Sequence, residues 1–255
     1  MANENGTWIM KGLAWNDPYR IRTWKELINW VNEVGFLPLF ANEIEGFSAE
    51  EHTSSDYWWT GNAEQDPWEW CEIIAVDRSI VYGKFFDKKA GFISQEWLPY
   101  FVDFRRNGYD FDSAWEDGKV IRREKLIMDI LTDTDADGDM VWTNKQILTT
   151  DLKKMAGFGK GGENNFPGIT TELMMKLYLV TADFHRRKNK KGVEYGMTVS
   201  VLLSPEAIWG YNAVTSAYVE EPAQSWQRIC NRVKEIFPQA RESAIIKMIG
   251  KYPES

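Results

Sequence analysis

Two runs rich in β-branched and aromatic residues, Val180–His185 and Glu194–Leu203, flank Arg186-Arg187-Lys188-Asn189-Lys190-Lys191-Gly192. Strand-forming residues on both sides of a short turn that ends in glycine specify an antiparallel hairpin. Five cations within six residues, Arg186 to Lys191, then charge its tip. What precedes the hairpin is equally constrained. Asn144–Thr149 reads as a short turn or helix, and Thr150 as the cap of a helix over Asp151–Ala156, with an acid at its positive end. Gly157-Phe158-Gly159-Lys160-Gly161-Gly162 cannot continue that helix. Pro167 suits the first turn of a further helix through about Leu179, with Leu173, Leu177 and Val180 spaced to face a core. Helices joined by a tight link and followed by a basic hairpin follow the order of a winged helix, whose last helix enters a groove while the wing touches the backbone.

That charge is local, because the chain as a whole is acidic: 255 residues carry a formal net charge of −8. From Lys153 to Lys191 there are nine bases against three acids, a net of +6, whereas Gly35 to Ser79 holds ten acids and one base, a net of −9. An acidic protein can thus present one basic face to a polyanion. With 13 Trp, 13 Phe and 10 Tyr, the chain buries enough area to fold rather than stay disordered. No run of about 18 apolar residues predicts a membrane span. Two cysteines, Cys71 and Cys230, cannot build a disulfide framework, so a cytoplasmic location is expected.

Elsewhere, Thr23 and Glu26 make a capping box ahead of Trp24, Leu27, Ile28 and Val31, which recur at helical spacing, and Gly35 stops that helix. Tyr57-Trp58-Trp59-Thr60-Gly61 reads as a Trp-dense loop, followed by Asp66-Pro67-Trp68-Glu69-Trp70. Ser79–Phe86 and Lys89–Ile93 form a hairpin through Asp87-Lys88. Ser94 is expected to cap a helix to about Arg105. A helix over Arg122–Ile130 and two amphipathic helices, Ser225–Ile236 and Gln239–Ile249, broken at Phe237-Pro238, complete the chain.

The stretch Asp151–Leu203, with Ala156-Gly157-Phe158-Gly159-Lys160-Gly161-Gly162 and Ile169-Thr170-Thr171-Glu172-Leu173, resembles the second winged helix of the AlkZ-like DNA glycosylases. Tyr82-Gly83-Lys84-Phe85-Phe86-Asp87-Lys88-Lys89-Ala90-Gly91-Phe92-Ile93 and Asp66-Pro67-Trp68-Glu69-Trp70 resemble an AlkZ-related bacterial branch of them. The resemblance implies a tandem winged-helix body around a DNA-binding channel. In the active enzymes it implies hydrolysis of the N-glycosidic bond of an alkylated base, with water held by a Gln-apolar-Gln or Gln-apolar-Asp motif after a glycine and an apolar residue. Here Pro38-Leu39-Phe40 follows Gly35-Phe36-Leu37, and neither Pro38 nor Phe40 can polarise water. Asn42 and Glu43 stand nearby as substitutes in a shifted register, or as solvated loop residues.

Further candidates carry bland alternatives. Asp133-Thr134-Asp135-Ala136-Asp137-Gly138-Asp139-Met140 matches the first eight positions of an EF-hand calcium loop, but Asn144 replaces the bidentate Glu at position twelve. Asp133, Asp135, Asp137 and Asp139 are therefore a weak calcium site at most, or a solvated linker. Trp58 and Trp59, with Trp68 and Trp70, could stack an unpaired base, or fill a core. His52 and His185 assemble no zinc or triad spacing with Cys71 and Cys230.

The sequence thus predicts an α+β, mainly helical fold with tandem winged-helix-like units and a helical C-terminal end. Its expected parts are residues 1–131, a linker at 132–143, a winged helix at 144–210 and packing helices at 211–255. The expected partner is DNA, contacted by Arg186, Arg187, Lys188, Lys190, Lys191, Lys160, Thr170, Thr171 and Lys176, with no cofactor beyond weak calcium. An active alkylbase glycosylase using Asn42 and Glu43, or a winged-helix scaffold for a protein partner, are the alternatives.

Overall fold

The computed structural model describes residues 2–4, 7–137 and 140–252. In chain order it contains β1 (Ala2–Glu4), β2 (Thr7–Ile9), α1 (Trp24–Val34), β3 (Phe36–Pro38), α2 (Ala49–His52), α3 (Pro67–Asp77), β4 (Ile80–Phe86) and β5 (Lys89–Ser94). Next come α4 (Leu98–Arg106), α5 (Phe111–Glu116), α6 (Arg122–Leu131), β6 (Thr132–Thr134), β7 (Met140–Trp142), α7 (Thr149–Met155) and α8 (Phe166–Met175). The chain ends in β8 (Val180–Lys188), β9 (Glu194–Leu203), α9 (Pro205–Trp209), α10 (Tyr211–Val214), α11 (Pro222–Ile236) and α12 (Glu242–Ile249). The fold is α+β and mainly helical.

A five-stranded antiparallel sheet in the order β3-β5-β4-β8-β9 organises these elements. Strand β4 meets β8 at Tyr82↔Thr181, so the N-terminal hairpin and the basic hairpin share one sheet. Asp87 and Lys88 both have positive φ (49° and 62°), the turn geometry whose twist matches a two-residue hairpin. Pro38 pairs with Gly91 on the edge strand β3, where a missing N–H is tolerated. Phe36, Phe86 and Phe101 lie at the centre of the core, with the Phe36 and Phe101 rings 4.9 Å apart and edge to face.

Local chemistry explains the boundaries. Thr23 Oγ1 accepts from the Glu26 N–H at 3.2 Å, and α1 buries Leu27, Ile28, Val31 and Val34. Gly35 ends it at φ 97°, where a Cβ would sit 2.7 Å from the Trp97 indole nitrogen. Ser94 does not cap the next helix. It closes β5 opposite Ile80, and α4 begins at Leu98 after Trp97. The helix expected through Leu179 stops at Met175, because Leu177 turns left-handed (φ 58°). The Leu177 and Tyr178 N–H groups then bond the Met174 and Leu173 carbonyls at 2.9 and 3.0 Å, closing the helix end. Thr150 is not a cap; α7 begins at Thr149 behind Leu148. The Asp-rich segment forms part of a small ribbon, β6 against β7, with Thr132 opposite Trp142.

The helical layers are pinned by buried polar ties. The Arg106 guanidinium pairs with Glu206, both side chains buried, and donates to the Leu177 carbonyl at 2.6 Å. Arg105 donates to the carbonyls of Met175, Phe85 and Ile249, so one cation joins the ends of α8, β4 and α12. Asp103 on α4 accepts from Ser225 Oγ on α11 at 2.6 Å. Among the described residues no helix is long and apolar enough to cross a membrane.

Candidate nucleic-acid interface

The hairpin β8–β9 projects its cations from the end of the sheet. Arg186, Arg187, Lys188, Lys190 and Lys191 are all exposed. The turn is fastened by Asn189, whose Oδ1 accepts from the Lys191 and Val193 N–H groups at 2.8 and 3.1 Å, with Gly192 at φ 77°. Arg186 faces α3, where it opposes the rise in the Glu69 carboxyl caused by burial and by Glu72 and Asp66. Lys188 approaches Glu194 at 4.0 Å, and His185 Nε2 lies 3.1 Å from Asp183. Lys190 and Lys191 make no ion pair among the described residues.

Arg187 and Lys188 face a groove of about 600 Å³, whose other wall is α7 and the glycine link, with Thr150, Lys153, Lys154, Phe158 and Gly159. Four cations line this groove. The single acid, Asp151, pairs with Lys154 at 2.9 Å. The helix that brings basic side chains to the hairpin is thus α7. Helix α8 is largely buried: the Thr170 hydroxyl returns to the Phe166 and Pro167 carbonyls at 3.1 Å, and Thr171 to Pro167 at 2.8 Å. Lys176 is taken by Glu124 at 2.7 Å. Lys160 is exposed on the glycine link.

Beside the groove lies a cavity of about 640 Å³, bounded by α3, the β4–β5 hairpin, α7, α8 and the base of β8–β9. Its floor is buried and apolar, with Phe166, Met174 and Leu202 beside the Tyr82–Cys71 pair. Burial pushes the Cys71 thiol up to about 12, so it is neutral and no nucleophile near pH 7. Glu72 lines the wall and accepts from Thr198 Oγ1 at 2.5 Å. Lys84, Lys88, Lys89 and Lys153 stand at the mouth; Lys88 pairs with Glu172 at 2.6 Å. The wall also includes Phe40, whose ring lies 6.5 Å from that of Trp68 at an interplanar angle of 27°.

The other expected site residues lie elsewhere. Asn42 is spent on its own loop: its amide donates to the Phe47 carbonyl at 2.6 Å and its Oδ1 accepts from the Ile44 N–H at 2.9 Å. Glu43 pairs with Lys247 at 2.7 Å and Arg241 at 3.4 Å, and the Lys247 ammonium holds its carboxyl below the ordinary range. Trp58 is buried, donating to Thr53 Oγ1 at 3.1 Å, while Trp59 is exposed at φ 59°. Asp133 pairs with Lys145 at 3.0 Å, and Asp135 accepts from the Asp137 N–H. Asp139 lies outside the described residues. Among the described residues no group of three or more His, Cys, Asp or Glu could hold a metal.

Trp68 is among the tryptophans expected to stack a base, whereas Glu72 and the cavity around both are not among the candidates drawn from sequence. The available signal was Asp66-Pro67, an N-cap followed by a first-turn proline. It puts Trp68 and Glu72 on one helix, four residues apart and so on one face. A family model described as AlkZ related matches residues 21–250. No curated protein and no solved structure matches the chain.

Proposed function

The chain belongs to the AlkZ-related family, and on that premise we propose that it is a DNA-binding protein related to base-excision glycosylases that does not itself hydrolyse the glycosidic bond. In this reading α7, α8 and β8–β9 act as a winged helix, and the observation that carries it is the cationic groove between α7 and the hairpin. Arg187, Lys188, Lys153 and Lys154 there bracket a channel open to a phosphate backbone, and Lys190 and Lys191 extend the charge beyond it. Phosphate contacts of this kind supply affinity and orientation without naming a base sequence.

The case against hydrolysis rests on the residues that stand where the glycosylases carry their water-holding pair. Pro38 is buried in β3, and Phe40 stacks beside Trp68, so an aromatic wall occupies the place of a polar group. Neither Asn42 nor Glu43 is free to replace it, since loop bonds and two cations engage them.

The test is duplex DNA binding by fluorescence anisotropy over a salt series. Each neutralised phosphate contributes about −0.9 to the slope of log K against log salt, so the double variant Arg187→Ala, Lys188→Ala is expected to bind more weakly and to reduce the slope by about 1.8. Absence of duplex binding at low salt, or an unaltered slope in the variant, overturns the reading. Release of free alkylated base by the wild-type chain overturns its non-hydrolytic half.

A further inference from the structure

We infer that the cavity beside the groove is a binding site for a nucleoside phosphate: a nitrogen heterocycle with an N–H donor, joined to a phosphate. Its volume of about 640 Å³ lies in the range of sites that enclose small organic ligands, roughly 300–1,000 Å³. The chemistry of its walls then narrows the class.

The floor of Phe166, Met174 and Leu202, together with the exposed face of Trp68, favours a flat apolar body and offers an aromatic ring to stack on. Glu72 stands half-buried on the wall, with Thr198 donating to its Oε1. A carboxylate in that position repels a plain aromatic acid or a fatty acid but accepts from a ring or exocyclic N–H. Thr149 and Ser200, whose hydroxyls lie 3.4 Å apart, supply further polar groups on the wall. The mouth is cationic: Lys84 and Lys153 are exposed and make no ion pair among the described residues. An ammonium pair at the entrance and a carboxylate inside place the ligand's anion outward and its N–H edge inward. A cationic aromatic would meet the lysines, and a bare phosphate would leave the apolar floor unfilled.

The site is separate from the duplex groove in everything but Lys153 and Thr150, so the two can fail independently. The full chain is titrated with the four common ribonucleoside monophosphates and with a short single-stranded oligonucleotide, following tryptophan fluorescence and heat. Saturable one-to-one binding is expected. The exposed-site variant Lys84→Glu should weaken it about tenfold or more, equivalent to at least about 1.4 kcal/mol. Glu72→Gln should change the preference among bases, and Arg187→Ala with Lys188→Ala should leave affinity for the mononucleotide unaltered. Saturation by mononucleotide identifies a free ligand; saturation by the oligonucleotide alone identifies an unstacked unit of a strand. If neither saturates, if Lys84→Glu binds as wild type does, or if the hairpin variant loses the mononucleotide as well, the inference falls. Duplex binding, measured on the same variants, reports on the groove alone.

Discussion

Asp103 shows how one buried carboxyl can set the response of the whole chain to pH. Its side chain is shut from solvent on α4, Oδ2 accepts from Ser225, and Oδ1 has no partner. Burial pushes the group up to about 6, against the lowering effect of the Ser225 bond. The unfolded carboxyl titrates near 3.9. A folded value above the unfolded one means that the native state binds the proton more tightly. Its contribution is then full below about pH 4 and disappears as pH rises through about 6. The difference is worth roughly 2–3 kcal/mol. We expect Asp103→Asn to flatten this part of the stability profile between pH 4 and 7, and to unfold at higher urea than wild type at pH 8. A wild-type profile that rises over the same interval would contradict the assignment. Gly35 carries the other residue-scale prediction. An alanine there must adopt φ 97° and push against the Trp97 ring. Gly35→Ala is expected to cost about 1–3 kcal/mol, read from the urea midpoint.

At the scale of elements, what could be read from sequence was whatever local chemistry decides. The Thr23 cap, the turn at Asp87-Lys88 and the cation-tipped hairpin each rest on neighbours in the chain, and each is in place; the other half of the expected capping box is not, since the Glu26 carboxylate accepts from the Arg22 N–H at 2.7 Å and not from Thr23. Helix α3 is not evident in the sequence, because Trp58, Trp59, Trp68 and Trp70 obscure its start. Yet Asp66 fastens that start with both oxygens, Oδ1 to the Trp68 N–H at 2.9 Å and Oδ2 to the Gly61 N–H at 3.0 Å. Asp66→Ala is expected to cost about 1–2 kcal/mol in thermal unfolding. Nucleotide binding should weaken alongside it, because the same helix presents Trp68 and Glu72. The groove was half legible: charge on the hairpin is written in six consecutive residues, but its pairing with α7 depends on how two segments pack. Thr170, Thr171 and Lys176 turn inward for the same reason, since α8 spends its faces on the core and on Glu124. The cavity, gathered from separate elements, leaves no pattern that spacing alone could reveal.

Across the whole molecule, the ties between distant segments matter most. Arg106 and Glu206 are 100 residues apart and form an ion pair with almost no solvent contact. Removing one partner of such a pair leaves the other charge buried and alone, at a cost of about 3–5 kcal/mol. Glu206→Gln should therefore lower the unfolding midpoint far more than Glu43→Gln, whose partners Lys247 and Arg241 are solvated. Comparison of the two variants in one urea series checks this.

The register Tyr82↔Thr181 has a consequence for how the protein can be handled. Because a strand from the first hundred residues lies hydrogen-bonded to one from the last hundred, a protease nick near the aspartates at 133–137 should leave the pieces associated under native conditions. They would separate only when denaturant melts the sheet. Equimolar fragments, refolded together, should recover the far-ultraviolet spectrum of the intact chain, and either fragment by itself should not.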